Sequence, residues 1–387
     1  MGGNRKIEPE RKHVVVCGAG VIGACTAYYL ACKGLKVTVV EKCGVACAAS
    51  GKAGGFLAYD WSSGAQGQLA NASYQLHKQL SVDIGVDYGY RTVDTLSIEL
   101  RESPSGAVEP KKSRGKQPEW INGPINKIGK IGSEADTAQV HPRLFTQAMI
   151  DTAVQKYGAE LRIGEVQEIM LSGGANARVT GVKVDGKVLP ADVVVLALGP
   201  WSGTNHLIKK LTQITGLKAN SIVLRPKNPE AVSAHMLFLQ YQTREGEHMD
   251  PEVYPRPNGD VYVCGMSETV PVPDNPNDIL PSKGAPEMLK RIAASVSSHL
   301  ADADVATEQA CFLPCSEDGV PVIGRIPGAE GAYVATGHSF WGILNAPATG
   351  LSLAELIVEG KSKLVDLKSF DPERFLGGTF SEKLKHK

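Results

Sequence analysis

The glycine-rich stretch Gly18-Ala19-Gly20-Val21-Ile22-Gly23 constrains the fold of this chain more than any other feature of the sequence. The Val-rich run at residues 13–17 before it is typical of a buried parallel strand, and residues 21–33 have helical spacing that ends at Gly34. Residues 35–40 predict a second strand. Since parallel strands need a crossover helix between them, the sequence predicts a β-α-β unit here.

The spacing of the glycines within this unit indicates a dinucleotide site. Gly18 follows the first strand, Gly23 lies in the first helical turn, and Glu41 ends the second strand. Backbone N–H groups at the start of such a helix can hold a pyrophosphate, and a carboxylate at the position of Glu41 can bind a ribose 2′-hydroxyl. We therefore favour dinucleotide binding over a merely structural glycine-rich turn.

Three further glycine-rich stretches decide between the possible dinucleotides. They cover residues 49–57, 196–201 and 336–344. One NAD molecule would not need four such stretches, whereas the longer FAD can run alongside all of them. The sequence therefore predicts FAD.

Composition limits the class of protein. The 387 residues predict two packed domains, and the 41 basic and 41 acidic side chains cancel, which argues against nucleic acid or an anionic membrane as a partner. Residues 1–12 lack an apolar signal region, and no apolar run approaches the roughly 18 residues needed to span a bilayer. The eight cysteines form neither a metal motif nor a secreted disulfide framework, and Cys43 and Cys47 make only an isolated C-x3-C. We expect a soluble protein of the cytoplasm or a reducing organelle, not a secreted one, and the oligomeric state stays open.

The rest of the chain predicts an α/β fold, with a Rossmann-like dinucleotide-binding domain and an inserted, mainly antiparallel α+β substrate domain. Helices are predicted at 141–157, 288–300 and from about 348 to 359, and strands at 159–169, 179–184 and 192–198. Residues 222–266 alternate like antiparallel strands and include a hairpin at 252–265 that turns at Asn258-Gly259. The predicted FAD-binding domain is discontinuous (11–85, 140–215 and 305–387), and the substrate domain covers 86–139 and 216–304, with a mobile loop at 101–118.

The four glycine-rich stretches, in this order, resemble the D-amino-acid oxidase-like family of FAD-dependent oxidoreductases, which includes glycine oxidase and monomeric sarcosine oxidase. The resemblance runs from about residue 12 to 375 and is strongest in GAGVIG with Glu41, SGKAGGFL, ALGPWS and the closing DGVPVIGR and YVATGHSFWGILNAPATG. It implies a flavoprotein that oxidises a carbon–nitrogen bond of a small amine, imine, imino acid or amino acid by hydride transfer to flavin N5, with oxygen as acceptor. The flavin supplies the redox chemistry of such enzymes, so no metal site or Ser-His-Asp arrangement is required.

The resemblance also implies which residues contact FAD and substrate. The implied cofactor-binding residues are Gly18, Gly20, Val21, Ile22, Gly23, Glu41, Lys42, Ser50, Gly51, Lys52, Ala53, Gly54, Gly55, Phe56, Leu57, Val166, Ala197, Gly199, Trp201, Cys311, Gly337, His338, Trp341, Gly342, Ile343 and Leu344. The implied catalytic residues are Lys52, Tyr254, Arg256, His338, Phe340 and Trp341.

The chain departs from the family where the substrate would bind. Amino-acid oxidising members clamp the substrate carboxylate with arginines, because a guanidinium matches a carboxylate in two hydrogen bonds. Here those positions are Leu313 and Phe340. This apolar replacement favours a cyclic amine, an imine or another largely apolar nitrogen compound, while Arg256 either binds an anionic group or points to solvent.

Several interpretations stay open at this point. Cys311 aligns with a cysteine that carries a thioether link to the flavin in sarcosine oxidase-like relatives, or it is a small buried cysteine. Lys52 lies near the flavin ring, contacts a phosphate or is exposed, and His338 is structural or an acid–base group. The alternatives to an oxidase are an FAD dehydrogenase with a quinone or protein acceptor, and a flavin-binding protein with a trafficking or scaffold role.

Overall fold

The computed structural model describes residues 11–102, 117–174 and 177–376. Most of the predicted loop at 101–118 therefore lies outside the described residues. The strands are β1 His13–Cys17, β2 Lys36–Glu41, β3 Phe56–Ala58, β4 Arg91–Thr92, β5 Asp94–Arg101, β6 Ile125–Gly132, β7 Thr137–Gln139, β8 Glu160–Ile163, β9 Val166–Leu171, β10 Val179–Val184, β11 Lys187–Pro190, β12 Val193–Leu196, β13 Ile214–Arg225, β14 His235–Gln242, β15 His248–Met249, β16 Glu252–Pro255, β17 Val261–Thr269, β18 Asp304–Ser316, β19 Val322–Arg325 and β20 Ala332–Thr336. The α-helices are α1 Val21–Cys32, α2 Ala49–Lys52, α3 Gly64–Asp83, α4 Pro142–Tyr157, α5 His206–Lys209, α6 Ala285–Val296, α7 Ser298–Ala301 and α8 Gly342–Glu359.

The predicted β-α-β unit is the centre of a six-stranded sheet with the order β19-β20-β12-β1-β2-β8. β1 pairs in parallel with β2 and with β12. The tight turn into α1 requires glycine twice, because a Cβ at Gly18 would lie 2.3 Å from the Ala197 carbonyl oxygen and one at Gly23 would lie 1.9 Å from that of Gly18. Because these two positions carry no side chain, the strand and the helix can pack closely.

Both faces of the six-stranded sheet are covered, which explains its apolar strands. Val14 and Val16 pack on the side of α1, α4 and α8. Val15 and Cys17 face the three-stranded sheet β11-β10-β9. This is the Rossmann-like part of the fold that the sequence predicts.

A second, larger sheet carries the strands of the predicted substrate domain, in the order β18-β13-β17-β16-β14-β5-β6 with β15 beside β14. On one face Val253 and Val263 pack against α6. On the other face Tyr254 and Tyr262 pack with Phe56 of β3. Alternation along each strand therefore turns one set of side chains away from the Rossmann-like part and the other set toward it.

Two details of the sequence-based assignment are corrected by the structure. The predicted strand 159–169 is two strands, since β8 joins β2 in the six-stranded sheet while β9 pairs with β10. The strands within 222–266 pair antiparallel as predicted, and β14 also runs parallel to β5, which lies outside that region. The predicted helix 288–300 begins at Ala285 and is divided into α6 and α7.

The last helix, α8, begins at Gly342 instead of near residue 348, with Pro347 inside it. Proline has no N–H, so it leaves the carbonyl of Ile343 without its helical partner. Nε2 of His77 in α3 lies 2.9 Å from that oxygen and replaces the missing donor. The helix can therefore pass through a residue that normally ends one.

The domain boundaries stay a prediction. β18, which spans the predicted boundary at residue 305, pairs along its whole length with β13 and so belongs to the larger sheet. Within the described residues, the stretch Ser339–Glu359 is long and apolar enough to cross a membrane, and 78% of its apolar window is buried inside the protein, as in a core helix.

Candidate active site

A cavity of about 630 Å³ opens at the carboxyl ends of the parallel strands β1, β2 and β12. All four glycine-rich stretches contribute to its wall. The predicted cofactor residues that line it are Gly18, Gly20, Val21, Ile22, Glu41, Lys42, Ser50, Ala53, Val166, Ala197, Gly199, Trp201, His338, Gly342 and Ile343. Ligands of open α/β sheets bind at this edge of the strands, so the cavity lies where a dinucleotide is expected.

The glycine turn, where the sequence predicts the pyrophosphate, forms one end of the cavity. A Cβ at Gly20 would lie 3.2 Å from Oγ of Ser50, so a side chain at position 20 would crowd this part of the wall. The Val21 N–H donates to Ser50 Oγ at 2.8 Å, and the Ala19 N–H donates to Glu41 Oε2 at 2.8 Å. These bonds fix the glycine turn and the Glu41 carboxylate relative to the N-terminus of α1.

Residues 164–167, Glu41 and Lys42 form the part of the cavity where the sequence predicts the adenosine. Lys42 forms an ion pair with Glu165 at 2.6 Å. Cys43 and Cys47 form a disulfide beside Glu41, and Cys47 lines the cavity. The sequence predicts only an isolated motif for this pair, since spacing alone does not show that the loop after β2 brings the two sulfur atoms together.

The other predicted cofactor residues do not line this cavity. They are Gly23, Gly51, Lys52, Gly54, Gly55, Phe56, Leu57, Cys311, Gly337, Trp341 and Leu344. Some of these act through packing: a Cβ at Gly54 would lie 2.3 Å from the ring of Tyr254, and Leu57 is fully buried. Their direct contact with FAD stays a prediction.

His338 is a buried, neutral histidine at the wall of the cavity. Its Nε2 lies 3.0 Å from Oγ1 of Thr349, and its Nδ1 is buried without a partner among the described residues. Burial lowers the pKa of His338 to about 3. These features favour the structural interpretation over acid–base catalysis, and the unpaired Nδ1 fits a hydrogen bond to a bound cofactor.

Lys52 and Cys311 lie close together on the side of β18. Lys52 Nζ donates to the Ala310 carbonyl at 3.0 Å, and burial lowers the pKa of Lys52. Cys311 is 3% exposed, and burial raises the pKa of its thiol to about 11. Cys315 instead forms an isolated β-bridge with His338. Attachment of a flavin at Cys311 stays a prediction.

The hairpin β16–β17 packs directly on the second glycine-rich stretch. The ring of Tyr254 stacks with that of Phe56, with centroids 5.9 Å apart. Arg256 Nη2 donates to the Ala53 carbonyl at 3.2 Å. Arg256 is only 8% exposed, so the alternative of a strand-edge arginine in solvent does not hold. It lines a second, smaller cavity with His141 and Arg143.

Glu252 is a polar residue of this region that is not among the predicted site residues. It accepts a hydrogen bond from the Tyr254 hydroxyl at 2.6 Å, and the Cys264 sulfur lies 3.4 Å from the same oxygen. Burial raises the pKa of its carboxyl. A signal for it is present in the sequence, because Glu252, Tyr254 and Arg256 alternate and so share one face of the strand.

The substituted clamp positions meet at one part of the large cavity. Leu313 of β18 and Phe340 of the turn before α8 both line it, and Phe340 is 63% exposed. Trp341 packs against the buried aromatic cluster of Phe56 and Tyr254. This part of the wall is therefore apolar and offers no guanidinium.

Comparison with known proteins gives matches over nearly the whole chain. The sequence profile of the family described as FAD dependent oxidoreductase matches residues 13–356. An oxidoreductase of Schizosaccharomyces pombe is 32% identical over 386 residues, which cover 94% of this chain and 98% of the relative. Glycine oxidase of Pseudomonas aeruginosa is 28% identical over 377 residues, or 93% and 98% of the two chains. The crystal structure of glycine oxidase from Geobacillus kaustophilus superposes with a TM-score of 0.78 at 23% identity, covering 95% of this chain and 100% of that one.

Proposed function

Because the chain belongs to the family of FAD-dependent oxidoreductases, we propose that it oxidises a carbon–nitrogen bond of a small, largely apolar amine or imine. The fold, the oxidoreductase class and FAD as cofactor, all expected from the sequence, are confirmed by the matches to this family. The substrate class, hydride transfer to flavin N5 and oxygen as acceptor are the proposed part.

The observation that carries the proposed substrate class is the pair Leu313 and Phe340 in the cavity wall. These are the positions at which the family resemblance implies arginines that clamp a carboxylate. Neither side chain can pair with an anion, and burying an unpaired carboxylate is costly. An apolar amine or imine would instead be held by hydrophobic contact with these two side chains.

FAD, when bound, supplies the acceptor for the hydride and its electrons. The residues of the chain have the tasks of positioning and proton handling. His338 stays neutral and offers Nδ1 at the cavity wall, while Leu313 and Phe340 offer the substrate apolar contacts. Glu252 lines neither cavity; it lies on the inner sheet face, where its carboxyl accepts a hydrogen bond from the Tyr254 hydroxyl and burial raises its pKa.

Anaerobic reduction of the FAD-loaded protein by matched substrate pairs tests the proposal. Each pair consists of an amine and its carboxylated counterpart, such as pyrrolidine and proline, and the loss of visible flavin absorbance gives the rate. We expect the amine to reduce the flavin at least about tenfold faster, a difference of about 1.4 kcal/mol in activation free energy. Peroxide formed per turnover in air then tests oxygen as acceptor.

Phe340→Arg is the matched variant, because it restores a guanidinium at one clamp position while the exposed site tolerates the change. We expect it to shift the preference toward the carboxylated member of each pair. Faster reduction by the carboxylated compounds in the unmodified protein, or no reduction by any compound, would contradict the proposal.

A further inference from the structure

A second cavity, of about 390 Å³, lies on the other side of the Ser50–Ala53 wall from the large one. Ser50 and Ala53 line the large cavity, whereas Gly51 lines the small one, and the two cavities share no lining residue. The polar wall of the small cavity contains His141, Arg143, Arg225, Arg256, Thr307 and Gln309. It therefore lies where α4 of the Rossmann-like part meets the larger sheet.

The charges around this small cavity do not balance. Three guanidinium groups line it, with Asp260 as the single carboxylate among the lining residues. Asp260 is paired with Arg225, whose Nε lies 3.3 Å from its Oδ1. Within the described part of the chain, Arg143 and Arg256 form no ion pair, and the charged side chains that line the cavity carry a net positive charge of two.

Arg256 provides the clearest sign that this cavity takes a ligand. Only 8% of this arginine is exposed, and its guanidinium makes a single hydrogen bond, to Ala53. Its Nε is buried and has no partner among the described residues. A buried cation is normally paired, because removing an unpaired charge from water is costly.

The N-terminus of α4 points its positive end at the same cavity. This helix has 16 residues and no acidic residue in its first turn, and His141 caps it by accepting from the Leu144 N–H. Burial, followed by the positive charges of Arg256 and Arg143, lowers the pKa of His141 to about 4. The histidine is thus neutral at physiological pH and leaves the two arginines and the helix dipole to act on a ligand.

We propose that this second cavity binds a small oxyanion, the carboxylate or phosphate group of a metabolite, between the guanidinium groups of Arg143 and Arg256. Both groups present a planar fork that matches either anion, and Thr307 and Gln309 add neutral polar groups. The site is distinct from the cavity assigned to FAD and substrate. Arg256 also donates a hydrogen bond to the Ala53 carbonyl, so a bound anion would contact the same guanidinium that positions the Ser50–Ala53 segment.

Calorimetric titration of the FAD-loaded protein with inorganic phosphate and, separately, with acetate tests the site at low, constant ionic strength. We expect one anion per chain, with binding weakened at least tenfold in Arg143→Gln and in Arg256→Lys, which keeps the charge but loses the fork. Arg178→Gln, at an exposed arginine that lines neither cavity, is the matched control and should bind like the unmodified protein.

The two ligands distinguish the source of the oxyanion. Stronger binding of phosphate assigns the site to a phosphorylated ligand, and stronger binding of acetate assigns it to a carboxylate; either result supports the proposal. Equal weak binding by the unmodified protein and Arg143→Gln, or an equal loss in Arg178→Gln, would show general charge screening and overturn it. Because Arg143 is exposed, Arg143→Gln tests the site even if Arg256→Lys fails to fold.

Discussion

Glu252 shares its strand face with Tyr254, which stacks on Phe56 beside the second glycine-rich stretch. Burial raises the pKa of its carboxyl, so ionisation of Glu252 costs the folded state free energy that the unfolded state does not lose. Glu252→Gln removes this ionisation while keeping the size of the side chain and a hydrogen-bond partner for Tyr254. Above the ordinary carboxyl pKa we therefore expect the variant to be at least as stable as the unmodified protein, and urea denaturation measures the unfolding free energy of both.

The pH dependence of stability separates loss of the carboxyl from loss of packing. In the unmodified protein the contribution of Glu252 to the unfolding free energy falls as pH rises through its raised pKa, and Glu252→Gln should lack this fall. FAD affinity serves as the control, because Glu252 does not line the large cavity. A variant that is less stable than the unmodified protein at every pH would show that the carboxylate stabilises the folded state.

At the scale of elements, α8 depends on a substitute donor from α3. His77 is fully buried, and its Nε2 lies 2.9 Å from the Ile343 carbonyl that Pro347 leaves unpaired. In His77→Phe this carbonyl has no donor, and an unsatisfied buried acceptor costs about 1–3 kcal/mol. We expect urea denaturation at neutral pH to show a loss of unfolding free energy in this range.

Pro347→Ala provides the matched background for this test. The backbone N–H that this substitution introduces can donate to the Ile343 carbonyl as in an ordinary helix, so His77→Phe should cost clearly less there than in the unmodified chain. An equal cost in both backgrounds would mean that His77 stabilises the helix pair by packing, for example through its contact with Phe145, and not by this hydrogen bond.

How far the sequence predicts these elements depends on whether their signals are local. It predicts β1, α1 and β2 nearly to the residue, because the apolar strand, the glycine turn and Glu41 are neighbours in the chain. It places the start of α8 too late, because the donor that allows Pro347 comes from a distant helix. The parallel pairing of β14 with β5 has no local signal either.

The two cavities also differ in how well the sequence predicts them, because the large one has local sequence patterns and the small one does not. The glycine-rich walls of the large cavity are predictable since each stretch carries its own pattern, and Leu313 and Phe340 stand out against a family pattern. The small cavity is not predictable, because His141, Arg225 and Arg256 come from three separate elements and are ordinary residues in isolation. Only the packing of α4 against the larger sheet brings their charges together.

For the whole molecule, buried neutral histidines should make stability depend on pH. Burial lowers the pKa of His77 to about 4 and that of His338 to about 3, whereas an unfolded chain protonates both near 6.5. Below that value the unfolded state binds more protons than the folded one, so the unfolding free energy falls as pH decreases toward 4. At pH 5 each of the two groups should account for roughly 2 kcal/mol of lost stability, at about 1.4 kcal/mol per pH unit.

Urea denaturation at pH 7.5 and pH 5.0, with the same excess of FAD at each pH, measures this dependence. His77→Gln keeps a donor for Ile343 but does not titrate, so it should lose clearly less stability between the two pH values than the unmodified protein. His248→Gln, at an exposed histidine of β15 that lines neither cavity, is the matched control and should keep the full decline. The same decline in His77→Gln as in the unmodified protein would assign acid sensitivity to other groups. One such group is Asp318, where the effect of burial is outweighed by the bound Arg374, so that its carboxyl pKa lies below the usual value.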